Sequence, residues 1–260
     1  TKRHFSVFEH FEQAKYIPWG TDIDTFAPQS SPQVIQNDKV TFFHSAGMSP
    51  IRKGTDIFIQ AVTELAKTTD NFNVLIHSQV SLEENMPKLA NEISLLKNKE
   101  LLSVVCETVS APGLYHKGDV YVYPSRLEGI GLTIAEALAV GLPTIVTDEA
   151  PMNEFSSPYC QTIKVDKRYA RADGYYWPQS IASYKDLAQK MALSGGIIQT
   201  LLDQAKTTNW LENRQSDAKG QMRYALSAIG ILEAEKAFSL DGYLSITPVP
   251  LAQYCDICIK

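Results

Sequence analysis

The chain has 260 residues, of which 44% are hydrophobic and 20% charged, proportions that exclude a disordered or fibrous protein. Its net charge of −5 provides no basic surface, so we expect neither a nucleic acid nor an anionic membrane as a partner. No apolar run is long enough to cross a bilayer and no signal peptide opens the sequence, which predicts a cytoplasmic protein without a transmembrane segment.

Strand and helix patterns divide the chain into three parts. Residues 1–16 mix aromatic and charged side chains, and we interpret them as the remnant of a linker or of a preceding domain. Residues 17–238 are predicted to form one domain, and residues 239–260, which show no periodicity, a C-terminal tail. Within the domain, residues 39–165 alternate between strand and helix patterns, which predicts a parallel α/β sheet of about six strands with helices on both faces.

The first strand of this sheet is predicted at residues 39–45, where the lone His44 lies in an apolar run. A histidine in that setting is more often a core residue than a catalytic one, and we predict the structural role. The loop that follows carries Arg52 and Lys53 and leads into an amphipathic helix. Cations in such a loop suit a diphosphate, while solvated loop charges are the alternative.

The remaining elements continue the alternation on both sides of a central segment. Before it, we predict a strand at residues 72–77, a helix at 82–100, a strand at 103–106 and a short helix at 111–117. After it, we predict strands at 144–147 and 161–165, a helix that begins at 184, and one or two further helices at 197–238.

The central segment, residues 119–143, predicts a strand, a glycine loop and a helix. The strand, residues 119–123, is rich in β-branched and aromatic side chains, and the loop contains Gly129 and Gly131, where the backbone can approach a ligand closely. The helix is predicted at residues 132–139. Free N–H groups and a partial positive charge at the start of this helix make a natural phosphate site.

Two carboxylates bracket the glycine loop. Glu128 lies just before the glycines, and Glu136 lies eight positions further on, inside the helix. Sugar hydroxyls donate hydrogen bonds to carboxylates, so acids beside a phosphate loop suit a sugar better than the phosphate itself. This placement predicts a nucleotide-sugar or dinucleotide site. The alternative is a buried turn in which Glu136 is a solvated residue of the helix surface.

Residues 125–143 resemble the Glu-x7-Glu segment of the retaining family 4 glycosyltransferases, which have the GT-B fold. The sequence departs from the usual form at Ile130, where phenylalanine is common. Residues 46–54 resemble the family's Gly-Arg-Leu-x-x-x-Lys-Gly element, with Lys53 matched and Met48 in place of the arginine. The resemblance implies that the chain is a Rossmann-like domain, the C-terminal, nucleotide-sugar-binding half of a GT-B fold.

The same resemblance implies which residues contact the donor. Glu128 would be the catalytic-site acid that touches hydroxyls of the donor sugar, and Glu136 would hold the ribose. Lys53 would grip the diphosphate. Arg52 beside it would either replace the missing arginine or be solvated, in which case Lys53 acts alone. The other donor contacts implied are Gly47, Val109, Gly129, Ile130, Gly131, Leu132 and Thr133.

The function implied is transfer of a hexose from a nucleotide diphosphate sugar to a hydroxyl acceptor, with retention at the anomeric carbon. We expect no cofactor, and no metal, because Lys53 and the helix N-terminus can supply the positive charge. The acceptor-binding half is missing from the chain, so we expect donor binding without appreciable transfer. The alternatives are a non-catalytic nucleotide-sugar-binding module and a GT-B sugar epimerase. A dehydrogenase is disfavoured because residues 45–54 contain no Gly-x-Gly-x-x-Gly.

The four cysteines are too few for a disulfide scaffold and fit a reducing compartment. Cys255 and Cys258 have half the spacing of a zinc site, but no second cysteine pair or histidine pair accompanies them. We therefore predict a plain tail at this end of the sequence.

Overall fold

The computed structural model describes residues 1–17, 19–22, 24–26, 39–155, 160–170, 172 and 177–207, with side chains up to residue 196. Six strands form one parallel sheet: β1 Val40–Gly47, β2 Phe72–Ser78, β3 Leu102–Cys106, β4 Val120–Tyr123, β5 Thr144–Thr147 and β6 Cys160–Ile163. Their order across the sheet is β3-β2-β1-β4-β5-β6. The predicted parallel sheet of about six strands is confirmed.

Helices and one hairpin complete the described part of the chain. The helices are α1 Lys2–Phe8, α2 Thr55–Leu65, α3 Leu82–Asn85, α4 Ala90–Asn98, α5 Leu132–Ala139 and α6 Tyr184–Thr207. Short 3₁₀ turns lie at Pro87–Leu89, Tyr115–Lys117 and Met152–Phe155, and β7 Val165–Tyr169 pairs antiparallel with β8 Gln179–Ala182. None of the described helices has both the length and the apolar composition needed to cross a membrane.

Side chains along the strands alternate between two hydrophobic cores, one on each face of the sheet. On β1, Phe42 belongs to the core covered by α2, α4 and α6, whereas Phe43 belongs to the core that includes α5. On β4, Val122 and Tyr123 divide in the same way. Strands buried on both faces need apolar residues at successive positions, so the sequence shows them as continuous apolar runs. The predicted helices on both faces are confirmed.

The strand order reverses between β1 and β4. The chain leaves β1 toward β2 on one side of the sheet, and it leaves β4 toward β5 on the other side. The segments that follow β1 and β4 therefore lead away in opposite directions. This topology leaves a crevice at the carboxyl edge of the sheet, which is where ligands bind in open α/β sheets.

The prediction of one helix over residues 82–100 is wrong. Pro87 interrupts it, because proline has no N–H to donate and its ring blocks the preceding turn of a helix. Met86 leaves the helical backbone region, with φ −134° and ψ 58°, so α3 ends at Asn85 and a separate α4 follows the turn. The predicted strand at 161–165 is likewise divided, since β6 ends at Ile163 and Val165 begins the hairpin.

Part of the sequence predictions concerns residues that lie outside the described ranges. Helix α6 extends through Thr207, so the start of the predicted helical region at 197–238 is helical. Residues 208–238, the predicted tail 239–260, and the pair Cys255 and Cys258 are outside the description.

Candidate functional site

Two loops meet at the crevice between β1 and β4: the β1 loop, residues 48–54, and the β4 loop, residues 124–131. The amide of Arg126 donates to the carbonyl of Arg52 at 2.8 Å, and Ser125 Oγ lies 3.1 Å from the same carbonyl oxygen. Gly54 explains how the two backbones come so close, because a Cβ at this residue would overlap the carbonyl oxygen of Pro124. Its φ of +74° is also in the left-handed region that favours glycine.

A buried ion pair also joins the two loops. The guanidinium of Arg126 donates through Nη1 and Nη2 to the two carboxylate oxygens of Asp56, each at 2.7 Å. The same guanidinium donates to the carbonyl of Ile51. Asp56 lies in the first turn of α2, so this pair ties the β4 loop to the start of the helix that follows the β1 loop. The sequence analysis missed Arg126.

The carboxylate of Glu128 is the centre of the second charged cluster, and only 9% of this residue is exposed. Its Oε1 accepts four hydrogen bonds: from Ser125 Oγ at 2.7 Å, Tyr123 OH at 2.8 Å, Lys53 Nζ at 2.9 Å and Arg52 Nη1 at 2.9 Å. Burial alone would raise the pKa of Glu128, but Lys53, Ser125 and Arg52 outweigh it and hold that pKa below its usual value. Glu128 is therefore an anion at neutral pH.

Lys53 and Arg52 converge on this one carboxylate oxygen. Lys53 Nζ lies 4.9 Å from the ring centroid of Tyr123 and also contacts its hydroxyl. Burial lowers the pKa of Lys53, and the carboxylate of Glu128 opposes that shift. Arg52 Nη1 donates additionally to the carbonyl of Leu127 at 2.9 Å. Two cations share one carboxylate here, so the cluster carries one positive charge in excess.

The start of α5 adds unbonded backbone donors beside this cluster. Gly131 occupies the N-cap position with φ +86° and supplies no side-chain cap. Among the described residues, the first amide that is hydrogen-bonded at this end is that of Ile134, which donates to the Gly131 carbonyl at 2.9 Å; the amides of 129–133 have no partner. A Cβ built on Gly129 would have no protein atom within 4 Å, so the loop faces open space at that residue, whereas Gly131 packs against Phe155. Amides with a helix dipole behind them favour an anion at this position.

Glu136, the second predicted acid, lies on α5 and is half-buried. Its Oε2 accepts a hydrogen bond of 2.6 Å from the hydroxyl of Tyr115. Burial first, and then the neighbouring Tyr121 and Glu136, raise the pKa of Tyr115 well above its usual value, so its hydroxyl keeps its proton and remains a donor. The sequence analysis missed Tyr115 and also Tyr123, because their aromatic rings read as ordinary core residues.

Three other predicted contact residues, Gly47, Thr133 and Val109, lie in different surroundings. Gly47 ends β1 with φ +55°, and a Cβ there would meet open space, so its backbone borders the crevice. Thr133 has a buried hydroxyl oxygen, and its amide donates no backbone hydrogen bond in the described part of the chain. Val109 lies beyond the end of β3, two strands away from β1, and packs against the core that contains α5.

His44 has the structural role that the sequence predicts. Its Nδ1 lies 2.8 Å from the carbonyl of Val122 and its Nε2 lies 2.8 Å from Thr55 Oγ1. A carbonyl can only accept, so Nδ1 carries the proton and Nε2 accepts from the threonine hydroxyl. Complete burial lowers the pKa of His44 to about 4, so the ring is neutral and links β1 to β4 and to the first residue of α2.

Comparison with known proteins gives consistent matches. Residues 39–167 match the family described as "Glycosyl transferases group 1". The chain is similar to the lipopolysaccharide core biosynthesis mannosyltransferase LpsB of Rhizobium meliloti (strain 1021), 29% identical over 109 residues, which are 40% of this chain and 30% of that protein. It is 30% identical to the mannosylfructose-phosphate synthase of Agrobacterium fabrum over 145 residues, 50% of this chain and 32% of that protein.

Solved structures share the fold at low sequence identity. A glycosyltransferase from Rickettsia africae ESF-5 has a TM-score of 0.55 at 16% identity, over 91% of this chain and 62% of that one. Anabaena Alr3699/HepE, in complex with UDP and glucose, has a TM-score of 0.51 at 18% identity, over 87% of this chain and 57% of that one. The chain spans about a third of the length of the curated relatives named above.

Proposed function

Because residues 39–167 belong to the group 1 glycosyl transferases and have the GT-B type of fold, we propose that this chain binds a nucleotide diphosphate sugar as the donor half of a glycosyltransferase. The reaction would move a hexose to a hydroxyl acceptor with retention at the anomeric carbon. Mannosyltransferases among the relatives favour a hexose donor, including GDP-mannose-dependent enzymes of Mycolicibacterium smegmatis and Mycobacterium tuberculosis.

The observation that carries this proposal is the open row of amides at 129–133 beside an unbalanced positive cluster. Arg52 and Lys53 share the charge of Glu128, which leaves one positive charge unmatched. The amides supply hydrogen-bond donors and the helix dipole adds partial positive charge. A diphosphate has the acceptor oxygens and the negative charge that such a site lacks, so it is the ligand that fits best.

The two carboxylates would bind the two remaining parts of the donor, Glu128 the sugar and Glu136 the ribose. Oε1 of Glu128 is occupied by four donors, and Oε2 makes no hydrogen bond in the described part of the chain, so this second oxygen can accept from hydroxyls of the sugar. Glu136 likewise uses one oxygen for Tyr115 and keeps the other for the ribose. During transfer, Lys53 and the amides would stabilise the negative charge that develops on the leaving diphosphate.

Calorimetry with UDP-, GDP- and ADP-sugars tests donor binding, because a specific ligand stabilises the folded state and releases heat on binding. We expect one nucleotide series to bind this chain, with negligible sugar transfer by the chain alone. Efficient turnover by this chain alone would contradict the proposed division of labour. Transfer that appears when the chain is joined to an acceptor-binding half would distinguish an enzyme from a non-catalytic binding module.

A further inference from the structure

Three tyrosines form a row beneath the two loops. Tyr121 and Tyr123 alternate on β4 with Val120 and Val122, which belong to the core on the opposite face of the sheet, and the two tyrosine rings stack with centroids 5.5 Å apart and planes 21° apart. Tyr115, from the turn before β4, packs edge-on against Tyr121 at 5.5 Å. The ring of Phe43 on β1 packs against Tyr115 and Tyr121, with ring centroids 5.6 and 5.7 Å apart. The row is buried, since Tyr121 and Tyr123 have no exposed surface and Tyr115 is 6% exposed.

Each end of the row donates a hydrogen bond to one of the two site carboxylates. Tyr123 OH donates to Glu128 at 2.8 Å, and Tyr115 OH donates to Glu136 at 2.6 Å. The middle ring, Tyr121, makes no hydrogen bond to either acid in the described part of the chain, and the polar groups nearest its hydroxyl are those of Thr133 and Ser45. The same residue type thus occurs three times in one packed row, twice with a carboxylate partner and once without.

We propose that Tyr115 and Tyr123 are positioning residues of the donor site, each fixing one carboxylate so that Glu128 and Glu136 are held in place before the donor binds. This inference rests on the proposed function. It extends that function to two residues whose hydroxyls donate to the site carboxylates and that are not among the predicted donor contacts.

The physical reason is the difference in freedom between the two side chains. A glutamate carboxylate ends a chain of three rotatable bonds, and it loses that freedom when a ligand fixes it. A buried tyrosine ring in a packed row has its orientation set by its neighbours, so a hydroxyl on that ring is a stationary hydrogen-bond donor. Binding then costs less ordering of the acids, which is the usual benefit of supporting contacts behind a binding residue.

The row also keeps the two acids at a constant spacing. Tyr121 and Tyr123 belong to one strand and are two residues apart, so the sheet fixes the distance between them. Tyr115 is fixed to the same ring stack from outside the strand. One rigid element therefore supports both the sugar side and the nucleoside side of the proposed site.

Three isosteric variants, Tyr115→Phe, Tyr121→Phe and Tyr123→Phe, test this inference by calorimetry with UDP, GDP, UDP-glucose and GDP-mannose. Each variant removes one hydroxyl and leaves the ring row intact. We expect Tyr115→Phe to weaken nucleotide and nucleotide sugar alike by about fivefold, and Tyr123→Phe to weaken mainly the nucleotide sugar by a similar factor. Tyr121→Phe is the matched control, and it should change neither affinity.

A double-mutant cycle decides whether Tyr115 acts through Glu136. Adding Tyr115→Phe to Glu136→Ala should cause much less than the fivefold loss expected in the wild-type background, because the hydroxyl then has no acceptor oxygen to hold in place. Thermal unfolding without ligand should give similar midpoints for the three tyrosine variants. If Tyr115→Phe acted only by loosening the packing, it would lower the affinity for every ligand, and it would cause the same further loss in the Glu136→Ala background as in the wild type.

Binding to the wild-type chain distinguishes a failure of the proposed function from a failure of the positioning role alone. If the wild-type chain binds none of these four ligands and no ADP-sugar either, both are overturned. If the wild-type chain binds and Tyr115→Phe and Tyr123→Phe behave like Tyr121→Phe, only the positioning role is overturned.

Discussion

Two charged clusters join the β1 loop to the β4 loop, and they differ in charge balance. Arg126 and Asp56 form a bidentate pair in which one cation meets one carboxylate. Arg52 and Lys53 share the single carboxylate of Glu128, so one positive charge is left over. A balanced pair has no charge left to bind a further anion, so its role is to hold the two loops together. An unbalanced cluster beside unbonded amides can still take up an anion, so neighbouring ion pairs in one crevice serve different purposes.

The largest effect is expected from breaking the balanced pair. Arg126→Ala leaves the carboxylate of Asp56 without its partner and should lower the free energy of unfolding by about 3 kcal/mol, measured by urea denaturation. The double variant Asp56→Asn with Arg126→Met removes both charges and should recover part of that loss. A loss below about 1 kcal/mol for Arg126→Ala would mean that the pair does not fasten the loops.

His44 is a neutral link between the same elements, and it makes stability depend on pH. Its pKa of about 4 in the folded chain lies below its ordinary 6.5, so the unfolded chain binds the proton more readily. The neutral ring contributes about 3 kcal/mol to the free energy of unfolding. This contribution is complete above about pH 6.5 and is lost as the pH falls from there to about 4. Urea denaturation across this range should show the loss. An NMR titration of His44 with a midpoint near 6.5 would contradict the account.

Removing Glu128 and removing Glu136 should have different effects on ligand affinity, because only Glu128 belongs to the unbalanced cluster. Glu136→Ala should weaken nucleotide and nucleotide sugar alike by about 1.5–3 kcal/mol, because both ligands contain the ribose. Glu128→Ala should weaken mainly the nucleotide sugar and leave free nucleotide bound as well or better, because it releases Arg52 and Lys53 for the phosphates. Calorimetry with matched pairs such as UDP and UDP-glucose measures both. Equal losses of free nucleotide in the two variants would refute the assignment.

A smaller effect is expected at Arg52, whose side chain is 37% exposed and therefore partly screened by water. Arg52→Ala should weaken nucleotide diphosphates by about 1 kcal/mol while leaving nucleosides unaffected, since only the phosphates attract the guanidinium. Met48 lies in the same loop and is 73% exposed, so Met48→Arg in that variant should restore affinity. If diphosphate affinity does not change in Arg52→Ala, then Lys53 and the amides hold the phosphates without Arg52.

Local patterns in the sequence predicted most of the framework. The apolar runs identified the parallel strands because strands buried on both faces leave a continuous signal. The glycine loop, Glu128 and Glu136 could be singled out as candidates because they lie within one short segment, and the structural role of His44 could be predicted because a lone histidine in an apolar run suits a core. The break at Pro87 was also readable, since proline excludes a continuous helix, but the apolar periodicity of residues 82–100 was given more weight.

Contacts between distant parts of the chain could not be predicted. Arg126 and Asp56 are 70 residues apart in sequence, and Tyr115 is 21 residues from Glu136, so no spacing rule connects them. The sequence also placed Lys53 against a diphosphate without showing that it shares Glu128 with Arg52. These pairings depend on which loops the sheet order brings together, and that order is a property of the whole fold.

The central claim is that the amides of residues 129–133 form the diphosphate site, with Lys53 in place of a metal ion. The direct test is an NMR titration of the ¹⁵N-labelled chain with UDP, GDP and ADP in the presence of EDTA. The account predicts that one nucleotide binds without divalent metal and that its largest amide shifts fall on residues 129–133, the donors that it would hydrogen-bond. Binding that disappears in EDTA, or binding that shifts other amides and leaves these five unchanged, would contradict it.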